Sequence, residues 1–280
     1  MFDHIEKFHK STIQHGKNNN RIYLMKLHRE DEGLILQKLD QMADEAGYTK
    51  IVAKVPDWAR MMFASHGYQT EGSIPGFYNG EGAVHFMSRF VSDDRGILDQ
   101  DLSHLIDTNI SIANAKKDDK KNIVLAEDFS IRRLNEEDID SLVTLYESVF
   151  KVYPFPIFDS GYIKSTMNDY IQYFGAFKEG VLYAASSAEI DYDAQNAEMT
   201  DFARHPQRGA GLNLSYLLLR YMEEALEAQN IKTYYTIARA YSIGMNTTFS
   251  RMNYTLAGTL INNTLISDGI ESMNVWYKSA

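Results

Sequence analysis

The chain has 280 residues, 44% hydrophobic and 24% charged, with a net charge of −10. That composition marks a globular protein of one large or two ordinary domains and argues against nucleic acid, whose phosphates demand a basic partner surface. It has no cysteine and eight scattered His, which excludes disulfides, Cys-ligated zinc and a thiol nucleophile and predicts no metal site. The start, MFDHIEKFHKST, lacks the basic-then-apolar layout of a secretory signal. No run approaches the ~20 apolar residues of a membrane span, so a soluble cytoplasmic protein without a membrane partner is expected.

In chain order, RIYLMKLH (21–28) reads as a strand, GLILQKLDQMADEAG (33–47) as a helix and KIVAKVP (50–56) as a strand. FASHGYQTEGSI follows from Phe63, then an acidic-Gly turn at Glu81-Gly82. The polar stretch DTNISIANAKKDDKKNIVLAED (107–128) has no apolar period around its KKDDKK run and is expected to be a linker, with a boundary near Asn122. Beyond it, FSIRRLN (129–135) is a predicted strand and EEDIDSLVTLYESVF (136–150) an amphipathic helix, followed by the loop VYPFPIFDS. YFGAFKE, VLYAASSAEIDYDAQ and AEMTDFARH are three β-rich runs in hairpin sequence, and a helix runs from Leu212 to about Gln229. KTYYTIARA is a further strand, IGMNTTFSRMN a helix, and YTLAGTLINN with ESMNVWYKS a closing strand pair. The order is α+β, with a mixed, mostly antiparallel sheet flanked by helices. FASHGYQTEGSI aligns with FSRMNYTLAGTL from Phe249, and Glu81-Gly82 with Asp268-Gly269, so residues 1–122 form a smaller, degenerate half-copy of 123–280.

The stretch ARHPQRGAGLNLSYLLLRYMEEAL (203–226) places two glycines between a strand and a helix. Such a turn leaves several backbone N–H groups converging on one spot at the positive end of the helix dipole, an anion site. Arg208 adds a fork suited to phosphate. A P-loop would end in Gly-Lys-Ser/Thr, whereas this one reads GAGLNLS. A dinucleotide fingerprint would follow the first strand of a βαβ unit.

On these residues the chain resembles the GNAT family of acetyl-CoA-dependent N-acetyltransferases. Arg208, Gly211 and Asn213 stand in its Arg/Gln-x-x-Gly-x-Gly/Ala pattern, Asn213 departing from Gly/Ala. The resemblance covers about residues 127 to 280 and implies that the amides of Gly209, Ala210, Gly211, Leu212, Asn213 and Leu214 hold the pyrophosphate of acetyl-CoA. It implies that Phe202 and Arg204 lie on a splayed strand beside pantetheine and that Asn246 touches the pantetheine arm. The half-copy layout, with EMTDFA before the loop and GMNTTFSRMNYTLAGTLINN and ESMNVWYK after it, resembles in particular the bacterial and archaeal β-lysine N-acetyltransferases, which form a neutral compatible solute. A small-molecule amine substrate is then expected. A peptide acetyltransferase and a non-catalytic acyl-CoA sensor are the alternatives.

Glu198 aligns with the general base of several relatives, or is an ordinary strand-end acid. Phe249 stands where the family often has an acid Tyr, leaving Tyr241, Tyr254 or solvent to protonate the thiolate. Glu189 and Asp191, with Asp193, alternate along a strand and either bind ammonium groups or form a solvated edge. Tyr153 and Phe155 lie in the loop at the family's acceptor position. In the half-copy, Glu30, Asp31 and Glu32 stand where a pyrophosphate would sit, and the elements ahead of them look too few for half of an acetyltransferase sheet. One acetyl-CoA per chain is expected, with residues 1–122 shaping the acceptor side or a homodimer contact.

Overall fold

The structure is a computed structural model that describes residues 3–117, 123–267 and 269–280. The chain begins β1 (His4–Phe8), β2 (Ser11–Gly16), β3 (Arg21–Lys26), α1 (Ile35–Ala46), β4 (Lys50–Pro56), α2 (Arg60–Ser65), β5 (Gln69–Tyr78) and β6 (Gly82–Phe90). Helices α3 (Asp93–Gly96) and α4 (Gln100–Asn114) lead across to β7 (Phe129–Arg133), α5 (Ile139–Val149) and α6 (Ser160–Met167). The opening order then recurs: β8 (Ile171–Lys178), β9 (Val181–Asp191), β10 (Asn196–Arg204), α7 (Leu214–Glu227), β11 (Thr233–Arg239), α8 (Ile243–Arg251), β12 (Thr255–Ile266) and β13 (Gly269–Ser279).

Among the described residues the strands join in one sheet, ordered β1-β2-β3-β4-β6-β5-β12-β13-β11-β10-β9-β8-β7. Of its pairings, β3–β4 and β10–β11 are parallel and the rest antiparallel. Helix α7 lays Leu217, Leu218 and Met222 on one face of the second part, while α5 and α6 bury Leu142, Tyr146 and Ile163 on the other. No helix is long and apolar enough to cross a membrane.

Two sequence expectations are corrected. The first part does not lack the strands ahead of its helix: β1 and β2 form a hairpin through a two-residue turn, with His9 left-handed at φ 49°. β1 is exposed along nearly its whole length, Ile5 included, and β2 buries the polar Ser11 and Gln14, which hides the strand period. Asp31, expected to repel a phosphate, is buried and accepts from Ser11 N, Ser11 Oγ and Lys10 N, so it ties this turn to the sheet. Residues 107–114, expected in a linker, are the end of α4. Asp99 caps that helix by accepting from Asp101 N and Leu102 N, and Asn109 binds Ala240 O. Its apolar period is weak because Leu105 and Ile112 remain exposed. The expected boundary at Asn122 and the turn residue Asp268 lie outside the described residues.

The repeat is detailed. Gly72 of β5 pairs with Gly258 of β12, the residues matched in the aligned segments, and β5 and β12 are where the two copies join. Both strands bulge immediately before these glycines and again a few residues on, between Ile74 and Tyr78 and between Leu260 and Thr264. The copies reach across reciprocally. Arg21 at the start of β3 donates to Asn263 O, and Asn196 at the start of β10 donates to Phe77 O. Asn79 N–H donates to Ala194 O, and Leu265 N–H to Asn19 Oδ1. Buried Lys50 closes the seam on Glu71 and Ile261 O, at 2.8 and 2.7 Å.

Candidate active site

Strands β10 and β11 are paired over three positions, Asn196 to Glu198 against Thr233 to Tyr235. Past Glu198 they part: β11 runs on against β13, while β10 bulges between Thr200 and Ala203 with Asp201 left-handed at φ 54°. A bulge bends its strand away from the partner, and here it opens a fork with two unpaired backbone edges. The strand period sends Ala197 and Met199 into the core under α7 and Glu198 and Thr200 to the other face, where a cavity fills the fork. Its walls come from both copies. Arg21, Tyr23 and Lys54 belong to the first, Glu198, Asp201 and Phe202 to the second.

Glu198 faces Glu189 directly across the β9–β10 ladder. Burial raises the carboxyl of Glu189 well above its ordinary range, and the neighbouring Glu198 and Asp201 add to this against the pull of Lys54. Burial likewise raises Glu198, opposed by Lys54 and by a hydrogen bond from Tyr235. Asp201, raised by burial, accepts from Ser187 Oγ at 2.6 Å and from the Tyr153 hydroxyl. Three carboxyls sharing one dry site cannot all ionise freely. Asp201 escaped the sequence reading, although an acidic residue amid the otherwise half-buried run EMTDFA was a signal.

The glycine loop fits a pyrophosphate on the structure's own geometry. Gly209, Gly211 and Asn213 have φ of 75°, 78° and 52°, an alternation that turns N–H groups of the loop inward, that of Leu212 excepted, which donates to Gly209 O. The first bond of α7 is Leu217 N–H to Asn213 O, so the N–H groups of Leu214, Ser215 and Tyr216 precede it. A Cβ on Gly211 would meet no protein atom within 4 Å, open space of the kind a ligand fills. Ala210 and Leu212 are exposed, while Leu214 is buried and anchors the helix. Arg208 is exposed, its guanidinium 5.8 Å over the Tyr183 ring. Arg204 donates to Arg208 O.

Other expected residues behave differently. Asn246 is fully buried. Its Nδ2 donates to Arg239 O and Ser242 O, and its Oδ1 accepts from Asn274 Nδ2 and Trp276 Nε1, both at 2.8 Å. With those groups committed it holds α8 to β13 and is not free to contact a pantetheine arm. Phe249 is buried edge-on between Phe202 and Tyr254, at 5.6 and 5.1 Å, and still touches the cavity. The cavity lining includes neither Tyr241 nor Tyr254. Asp191 ends β9, paired with Lys26 at 2.8 Å, and lines a second cavity that meets the first at Glu189, Lys54 and Met25. Asp193 lies in the turn beyond the strand. Tyr153 and Phe155 wall the first cavity, the hydroxyl of Tyr153 being committed to Asp201. Among the described residues no cluster of three His, Asp or Glu is placed to hold a metal.

No family model matches the chain. It is 37% identical over 279 residues, 98% of each chain, to a β-lysine N(6)-acetyltransferase of Methanococcus maripaludis. It is 30% identical to a second, from Methanosarcina mazei, over 81% of this chain and 90% of that one. It is also 30% identical to the N-acetyltransferase YodP of Bacillus subtilis, over 96% and 95%. These near full-length likenesses make the chain a member of the family of the β-lysine N(6)-acetyltransferases.

Proposed function

We propose that this acetyltransferase transfers the acetyl group of acetyl-CoA to the terminal amine of β-lysine, giving N-acetyl-β-lysine. The observation that carries the reading is the carboxyl pair Glu198 and Glu189 facing each other where β10 and β11 part. A fork of this kind exposes backbone edges to one substrate and side chains to the other. The thioester of acetyl-CoA supplies the acetyl group. The loop from Gly209 to Leu214 binds the pyrophosphate, and the free edge of β10 from Met199 to Arg204 orients the arm.

Glu198 is the general base. Its raised pKa brings it toward the working pH, where proton transfer from an ammonium is most effective, an assistance worth about 10²–10⁴ in rate. Glu189, raised further, stays protonated longer and offers its carbonyl oxygen to the entering ammonium without competing for its proton. With Phe249 in place of a Tyr on α8, the departing thiolate, from a thiol of pKa about 8.5, leaves as the anion and is protonated by solvent. The walls supplied by the first copy and by the Tyr153–Phe155 loop close the acceptor side, which favours a small amine over a peptide.

Release of free thiol from acetyl-CoA with β-lysine, lysine, a polyamine and a peptide tests the assignment. The highest kcat/KM is expected with β-lysine. A preference for the peptide or polyamine, or no release with β-lysine, refutes it.

A further inference from the structure

Resting on that reading, we infer that a wall shared by the two copies binds the amino-acid head of the acceptor, Arg21 of the first copy taking its carboxylate and the side-chain oxygens of Gln14, from the first copy, and Asn263, from the second, its retained ammonium. Strand β3 alternates Ile22 and Leu24 into the core of the first copy with Arg21, Tyr23 and Met25 toward the cavity. Arg21 is 4% exposed. Its Nη1 donates to Asn263 O at 2.8 Å and Thr264 Oγ1 at 2.9 Å, two uncharged acceptors, while its Nε has no partner. A buried guanidinium with an idle donor is costly unless an anion completes it.

The same wall holds three more buried polar atoms without a partner: Gln14 Oε1, the Tyr23 hydroxyl and Asn263 Oδ1. Gln14 lies on β2 and its Nε2 reaches Pro154 O in the acceptor loop at 3.4 Å, so the same side chain connects the first copy to that loop. Donors and acceptors left idle on one wall match a zwitterion, which presents a carboxylate and an ammonium together. The same cavity carries the carboxyls of Glu189, Glu198 and Asp201, oxygen acceptors that suit an amine and not a carboxylate. Tyr23 feels the charge of Glu198 and Glu189, and Arg21 stands two residues along the same strand face, about 6.6 Å. The substrate is thereby oriented with its terminal amine at Glu198. Nothing in the strand-like RIYLMKLH distinguishes this role except a charged residue facing away from the apolar alternation.

The test compares kcat/KM for β-lysine with that for 1,4-diaminopentane, which lacks only the carboxylate, and likewise lysine with cadaverine, in the wild type, Arg21→Gln and Arg21→Lys. The expected result is that the wild type favours the carboxylate-bearing member of each pair. Arg21→Gln loses at least tenfold on it with less than threefold change on the diamine, and Arg21→Lys recovers part of the loss. Acetyl-CoA affinity by calorimetry should stay within twofold, which also establishes folding. If Arg21→Gln does not fold, the Lys variant, which keeps the charge but loses the fork, must still show the loss confined to the carboxylate-bearing substrates. Equal losses on both members of a pair, or no loss, overturn the assignment. A wild type inactive on β-lysine but selective for lysine over cadaverine overturns the β-lysine reading and leaves Arg21 to be judged on that second pair.

Discussion

The join between the copies makes a quantitative prediction through its two matched glycines. A Cβ on Gly258 would lie 1.9 Å from the Glu71 carbonyl oxygen and 2.6 Å from Gly72 Cα, whereas a Cβ on Gly72 would meet Ala257 O at 3.2 Å. Ordinary contact needs about 3.5 Å, so Gly258→Ala must push β5 and β12 apart by roughly 1.5 Å against rigid backbone. Overpacking alone costs about 1–3 kcal/mol. The shift also pulls Ile261, whose N–H donates to Glu71 Oε1 at 2.7 Å and whose carbonyl accepts from buried Lys50. Disrupting a buried ion pair costs about 3–5 kcal/mol. Since the pair is loosened rather than deleted, Gly258→Ala should lower the unfolding free energy by about 3–6 kcal/mol and Gly72→Ala by about 1 kcal/mol. Urea unfolding with both variants measures this, and the amine KM of Gly258→Ala should rise because Arg21 and Tyr23 stand across the same join. A Gly258→Ala protein within about 1 kcal/mol of wild type would refute the account of the seam.

Gly211→Val should abolish acetyl-CoA binding in a folded protein, because its methyls enter the open space beside the loop; unchanged affinity by calorimetry would rule the loop out. Arg208→Ala should weaken binding partially and salt-dependently, by about 1.5–3 kcal/mol for one charged contact, as titrations at two ionic strengths will show. One acetyl-CoA per chain is expected, since in the first copy Glu30 and Glu32 stand at the corresponding junction and Asp31 is turned into the β1–β2 hairpin; a stoichiometry of two contradicts this. The folded-state pKa of Glu189 is raised, so its stability contribution is full below the ordinary carboxylate pKa of about 4.3 and is lost as pH rises through the raised value. Glu189→Gln, which cannot ionise, should therefore melt above wild type at pH 8 and lose that advantage near pH 4, and the reverse order would show the pair to be stabilising when charged.

The glycine loop, the helix behind it and the order of elements from Phe129 onward were legible because each rests on local chemistry: strand period, helix period and turn residues. The repeat was legible at Phe63–Ile74, where the seam forces Gly72 and Gly258 and the same bulges. The hairpin β1–β2 was not, since its period is masked by polar residues, nor was α4, whose apolar stripe is half exposed. The roles of Asn246 and Asp201 depend on what lies across the sheet, Trp276 and Asn274 for one, Tyr153 and Ser187 for the other. Arg21 and Gln14 reach the site through the pairing of β5 with β12, a contact between residues far apart in the chain that no local pattern announces.

The central claim is that Glu198, at the fork between β10 and β11, takes the proton from the acceptor amine. The pH dependence of kcat for β-lysine in the wild type and Glu198→Gln tests it most directly. Acetyl-CoA affinity should be unchanged, with a loss of about 10²–10⁴-fold at pH 7 and recovery toward the wild-type rate as pH approaches the amine's own pKa, about 10.4. A Glu198→Gln enzyme with full activity at pH 7, or one whose deficit is the same at every pH, would contradict it.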